Sequence, residues 1–174
     1  MFEILSSQQV FSGRAFNLRV DQVSIDGGPA LPWEIIEHTG GVAMVPLDEE
    51  GNVLMVRQYR HAVAADLLEL PAGTVKKGED PAATADRELQ EEVGMRAASL
   101  ELIGEFFLAP GYSSELMRVY LATGLTSATL PQDADEVIRV ERVPFAEAVR
   151  MAIKGQIRDA KSVAGLLLAA HKRE

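Results

Sequence analysis

The stretch from Gly73 to Met95, Gly-Thr-Val-Lys-Lys-Gly-Glu-Asp-Pro-Ala-Ala-Thr-Ala-Asp-Arg-Glu-Leu-Gln-Glu-Glu-Val-Gly-Met, leaves the chain little local choice. It spells a glycine-bearing loop that runs into a short helix. Glu79-Asp80-Pro81 is a helix start, with Asp80 as the cap and Pro81 at the first helical position, where a missing N–H costs nothing. Gly94 is a stop, because glycine turns left-handed just past a last turn without strain. Ala82, Ala83, Ala85, Glu88, Leu89 and Gln90 between them are good helix formers. Leu89 and Val93, four apart, form a core-facing stripe with Ala85 and Ala82 on earlier turns. The expectation is a helix from Pro81 to Val93.

The acids of that helix break local rules. Glu88, Glu91 and Glu92 sit three and four apart, so like charges share one surface. They also crowd the C-terminal half, where the helix dipole disfavours negative charge. Each close pair costs about a few tenths of a kcal/mol. A hard divalent cation would remove the conflict, and Mg²⁺ is one that binds through carboxylates and substrate phosphates. A solvated acidic face with Arg87 paired to Glu91 is the alternative.

Written out, the stretch is G-x5-E-x7-R-E-U-x-E-E-x-G-U, with U apolar, and Gly73, Glu79, Arg87, Glu88, Leu89, Glu91, Glu92, Gly94 and Met95 fill every fixed place. This resembles the Nudix box of hydrolases that cleave a nucleoside diphosphate linked to another moiety. The flanks are similar to those of the ADP-ribose pyrophosphatase branch. They are Arg57-Gln58-Tyr59-Arg60-His61, Leu68-Glu69-Leu70-Pro71-Ala72-Gly73, Pro110 about fifteen residues past the box, Gly111-Tyr112-Ser113-Ser114-Glu115 and Ser162-Val163-Ala164. The resemblance spans roughly Trp33 to Leu168. It implies the Nudix fold, an α/β/α sandwich with a mixed sheet.

Composition excludes several other classes. A chain of 174 residues fits one domain with a small appendage. A net charge of −9 argues against a nucleic-acid backbone or an anionic membrane as partner. It leaves a small anionic substrate open, because bound metal inverts the local field. There is no cysteine, hence no disulfide framework, thiolate zinc site or cysteine nucleophile. Met1 to Ser12 has neither a basic start nor a long apolar run, so no signal peptide is expected. Cytoplasmic residence fits these features.

The rest of the chain alternates strands and helices. Met1 to His38 is expected as a small β subdomain, with Phe16, Leu18, Val20, Val23 and Ile25 in alternation, a turn at Gly27-Gly28-Pro29 and a strand from Trp33. Residues 39–174 form the hydrolase domain. Val42–Leu47 and Val53–Tyr59, joined by Asp48-Glu49-Glu50-Gly51-Asn52, are expected to pair as a hairpin. Leu67–Leu70 leads into the box. Leu100–Leu108 and Leu116–Ala122 form a second pair, Val137–Val143 a last strand, and Phe145–Lys154 and Ala160–Lys172 two helices, the second capped by Asp159.

The resemblance assigns roles. Glu88, Glu91 and Glu92 hold Mg²⁺, for which Mn²⁺ can substitute, and the carbonyl of Ala72 is the family's usual backbone ligand. Gly73, Glu79, Arg87 and Gly94 are structural in the motif. Arg57 and Arg60 suit phosphate oxygens, since planar guanidinium groups bind them in pairs; surface cations on a strand are the alternative. Glu69 reaches the adenine or a metal, or is an exposed strand residue. Trp33, the only tryptophan, stacks on adenine or anchors a core or interface. Glu115 enters the metal shell or touches ribose. The acid that activates water is expected in Asp133-Ala134-Asp135-Glu136, with Glu136 first and Asp135 second, a solvated acidic turn before a strand being the alternative; Glu91 and Glu92 complete the catalytic set. His38, His61 and His171 show no ligand spacing and are read as structural or exposed.

The reaction implied is Mg²⁺-dependent cleavage of ADP-ribose to AMP and ribose 5-phosphate. The alternatives are a pyrophosphatase for another nucleoside diphosphate derivative, such as a nucleotide sugar, and a nucleotide sensor without turnover. The branch also implies a homodimer. Residues 1–38 are too few for their own core, and the branch exchanges this segment between chains.

Overall fold

A computed structural model describes residues 1–132 and 137–173. The chain forms two compact units, Met1–Gly40 with Phe107–Leu116, and Gly41–Phe106 with Met117 onward.

The N-terminal unit is an antiparallel sheet of β1 (Phe2–Ser12), β2 (Asn17–Ile25) and β3 (Leu31–Glu37), with β2 in the middle. The β2–β3 turn is centred on Asp26 and Gly27, both at positive φ, one residue earlier than the glycine pair suggested. Two successive left-handed residues match the twist of the flanking strands, which explains the placement. The outer side of β3 is also bonded: Ile36 N–H donates to Tyr112 O at 2.7 Å, and Ser114 N–H to Ile36 O at 3.0 Å. The segment 107–116 thus belongs to this unit, a pairing that spans some seventy residues of sequence and carries no local signal. β1 is exposed along its whole length, including Phe2, Ile4, Leu5, Val10 and Phe11.

The second unit holds two sheets. One is mixed, in the order β7 (Ala72–Thr74), β4 (Gly41–Pro46), β9 (Leu116–Ser127), β8 (Met95–Phe107), with β4 parallel to β9 and antiparallel to β7. The other is antiparallel, in the order β10 (Ile138–Pro144), β5 (Asn52–Arg60), β6 (Ala65–Glu69). β4 and β5 therefore do not form the expected hairpin: they lie central in different sheets, and the pairing between them is a single bridge, Leu47 to Val53, just past the end of β4. The turn itself is as the residues dictate, with Asn52 N–H on Asp48 Oδ1 at 2.7 Å and Gly51 at positive φ. The strands part because all six β4 residues and Val53 to Val56 are buried. Solid apolar strands need cover on both faces, which a two-stranded ribbon open to water cannot give.

Helix α1 (Pro81–Glu88) starts on Asp80, whose carboxylate accepts from Ala83 N–H. It continues as a π-helical turn, Leu89–Val93, and ends at Gly94 with φ +70°, whose N–H returns to the Leu89 carbonyl. Ala85, Leu89 and Val93 are buried in the main core with Val42, Met44, Leu54, Val56 and Tyr120. α2 (Phe145–Ile153) and α3 (Ala160–Lys172) follow, α3 capped by the Asp159 carboxylate on Ser162 N–H. Both α1 and α3 pack on β4, which makes the α/β/α arrangement. Among the described residues no helix is long and apolar enough to cross a membrane.

Candidate active site

The box folds back on the loop that delivers it. Arg87 is its hub. Its Nη1 lies 2.7 Å from Glu91 Oε2 and 2.7 Å from Glu88 Oε1, and its Nε donates to Glu79 Oε1 at 3.3 Å. Burial lowers the guanidinium's pKa, but the three carboxylates outweigh it and the net shift is upward. Glu79 is held below the usual carboxylate range, against the effect of its own burial, by Arg87 and by the Lys76 N–H. Glu79 and Arg87 thus tie the loop to the helix.

Glu88 and Glu92 point inward, 9% and 2% exposed. Ala72 N–H donates to Glu92 Oε2 at 3.0 Å. Gly73 is pressed against Glu88 so closely that a Cβ there would overlap the carboxyl group. The helix acids and the Ala72-Gly73 backbone are therefore one assembly. Among the described residues no three or more His, Asp or Glu side chains already stand as a metal cage. The acids are partly engaged by Arg87 and by the Ala72 amide. Their chemistry still fits a hard cation, since every donor is an oxygen and at least two are buried carboxylates.

Beside this assembly lies a buried ionic cluster. Glu69, 1% exposed, receives Arg60 through Nε and Nη2, both at 2.8 Å, and Lys161 Nζ on Oε2. Burial pushes the Glu69 carboxyl up, but Arg60 and Lys161 more than compensate and its pKa falls below the ordinary value. The exposed-strand reading of Glu69 is thereby corrected: β6 turns it inward, where two cations satisfy it. Arg60 keeps its guanidinium partly exposed. Two of Arg60's five N–H donors go to Glu69, which leaves the others for an anion. Arg57 pairs with Glu141 across β5 and β10.

Trp33 and Glu115 belong to the N-terminal unit. Trp33 sits on β3 opposite Asp21, its ring edge-on to Phe2 at 5.8 Å. Glu115 lines a pocket of about 400 Å³ with Phe16, Ile36, His38 and Tyr112, its Oε1 3.9 Å from His38 Nδ1. Glu136 and Asp135 lie outside the described residues.

Neither Lys161 nor the role of Ser162 follows from the motif. Ser162 is wholly buried, Lys161 nearly so, and Lys161 Nζ also meets Asp159 at 2.9 Å. A signal was present: a lysine in the first turn of a helix opposes the dipole. Such a breach marks a residue held by tertiary partners.

With this geometry in view, comparison with known proteins identifies the class. The NUDIX domain model matches residues 37–166. The chain belongs to the NUDIX family and is a hydrolase. It is 43% identical over 169 residues to the ADP-ribose pyrophosphatase of Mycobacterium tuberculosis, covering 95% of this chain and 82% of that protein. It is 36% identical over 160 residues to the ADP-ribose pyrophosphatase of Bacillus subtilis, covering 91% and 86% respectively. The crystal structure of an ADP compounds hydrolase superimposes with a TM-score of 0.88 at 25% identity, over 98% of this chain and 93% of the other.

Proposed function

We propose that this hydrolase cleaves the pyrophosphate of ADP-ribose to AMP and ribose 5-phosphate, using Mg²⁺ or, in its place, Mn²⁺. The observation that carries the reading is the pair of buried acids, Glu88 and Glu92, closed onto the Ala72-Gly73 loop inside a complete box. The names of the two pyrophosphatase relatives support the substrate.

Glu88, Glu91, Glu92 and the Ala72 carbonyl would hold the cation. Bound there, it supplies charge neutralisation for the pyrophosphate oxygens and acidity for a water. Arg87 keeps the carboxylates apart and aimed. Arg57 and Arg60 bind phosphate oxygens, and the Glu69 fork fixes the plane of Arg60. Glu136, or else Asp135, takes the proton of the attacking water. The water oxygen bonds to phosphorus, the bridging P–O bond breaks, and the leaving phosphate departs with its electron pair. Glu115 and Trp33 contact the ribose and the base.

Turnover measured with Mg²⁺ over ADP-ribose, ADP-sugars and GDP-sugars tests the reading. ADP-ribose should give the highest kcat/KM. A GDP-sugar or an ADP-sugar ahead of it would transfer the assignment to nucleotide sugars, and binding without turnover of any substrate would make the protein a sensor. In the same assay Glu136→Gln should depress kcat much more than it raises KM, because a proton acceptor acts mainly in the transition state. Parent-like kcat there, with a collapse in Asp135→Asn, moves the role one residue back.

The working unit we propose is a cytoplasmic homodimer without nucleic-acid or membrane partners. A strand whose Phe2, Ile4, Val10 and Phe11 all face solvent is an edge that needs cover. A second copy of residues 1–38 is the cover that supports a symmetric assembly. Light scattering at micromolar concentration should give twice the chain mass. Trp33→Ala should weaken substrate binding by about 1–3 kcal/mol, the worth of an aromatic–base stack. A dilute monomer with full activity would sink the shared site. A dimer with unchanged affinity in Trp33→Ala would remove the tryptophan from it.

A further inference from the structure

We infer that Ser162, on α3, is a positioning residue for the Ala72 backbone, acting through the amide of Leu70. The inference rests on the reading of the Ala72 carbonyl as part of the cation site.

Residues 70 to 72 are pinned to three different elements. Leu70 N–H donates to Ser162 Oγ at 2.7 Å, across 92 positions of sequence. Pro71 O accepts from Met44 N–H at 2.9 Å. Ala72 N–H donates to Glu92 Oε2 at 3.0 Å. Proline has no N–H, so Leu70 and Ala72 carry the only amide donors of the stretch. One is held by α3 and the other by a box acid.

The Ser162 hydroxyl is itself oriented. It donates its one proton to Asp159 Oδ2, leaving its lone pairs for Leu70. Asp159 is held in turn by Lys161 Nζ, which also reaches Glu69, the residue before Leu70. Ser162 and Leu70 are both fully buried, so no bulk water replaces the bond if the hydroxyl is lost. α3 approaches the same residue a second time at Gly165, where a Cβ would lie 2.7 Å from Leu70 Cδ1. That second contact is with a flexible side-chain tip. Only the Ser162 bond grips the backbone.

The test is Mn²⁺ binding, read by electron paramagnetic resonance of the free ion, on the full chain without substrate. Ser162→Ala should weaken Mn²⁺ affinity about tenfold, the scale seen when a residue behind a metal ligand is lost. Its turnover should recover towards the parent value at high Mg²⁺, with KM for ADP-ribose little changed at saturating Mg²⁺. Gly165→Ala, which disturbs α3 packing but spares the hydrogen bond, should bind Mn²⁺ like the parent. Equal affinity in Ser162→Ala and the parent overturns the proposal. So does an equal loss in Gly165→Ala, since packing alone would then explain the effect. If Ser162→Ala does not fold, Ser162→Cys carries the test as a weaker acceptor of similar shape, and parent-like affinity there also overturns the proposal. A parent that binds no Mn²⁺ would instead refute the cation site itself.

Discussion

Glu92→Gln should lower turnover by at least about a hundredfold, the scale of a lost transition-state electrostatic contact. The substitution isolates charge from shape. A glutamine carbonyl oxygen can still accept from Ala72 N–H, so the bond that holds the loop is retained. The buried negative charge is what disappears. The fold should stand, since a crowded set of like charges at a helix C-terminus is relieved. Turnover with Mg²⁺ and a thermal melt check both halves of the expectation. Parent-like turnover in folded Glu92→Gln would remove Glu92 from the cation site.

Gly73→Ala should be nearly as damaging to activity, for a steric reason. The new methyl group would occupy the place of the Glu88 carboxyl, and also press on its Cγ. The obstacle is the end of a flexible side chain rather than backbone, so the cheapest response is for Glu88 to swing away. Stability should then fall only modestly, while an expected ligand is displaced and its bridge to Arg87 broken. We expect turnover down by about a hundredfold or more, with a cooperative melt still present. Full activity would mean that Glu88 can serve from a second position, or does not serve at all. Combining Gly73→Ala with Glu88→Ala separates these outcomes. Once the glutamate is gone, the methyl group should cost nothing further.

The local grammar of the box is legible in its residues alone. Asp80, Pro81 and Gly94 are signals read within one turn of helix, and each behaves as its chemistry requires. The i, i+3 and i, i+4 spacing of Glu88, Glu91 and Glu92 signals a charge conflict, and Arg87 does bridge two of them. The π-helical turn at Leu89–Val93 is not legible in this way. Such a turn has no helix-propensity signature, and it is stabilised by what its side chains meet. Here Leu89 and Val93 reach the core while Glu92 reaches the Ala72 amide.

The hairpin expected between Val42 and Tyr59 shows the limit from the other side. Alternation and turn residues identify two strands and the bend between them, because those depend on neighbours in sequence. Which sheet each strand enters depends on what covers its faces, and both strands are apolar enough to demand cover on two sides. Glu69 makes the same point in the site. As one acid on a short strand it could have faced water. Only the arrival of Lys161 and the fork of Arg60 make a buried carboxylate tolerable there. The amino-acid sequence by itself determined the box, its helix and the acids it gathers, since all of that is signalled within 23 residues by caps and spacings of one to four places. The tertiary structure decided which acids are buried and which backbone amides they hold, because those bonds join residues that only the packing of α3, β6 and the box brings together.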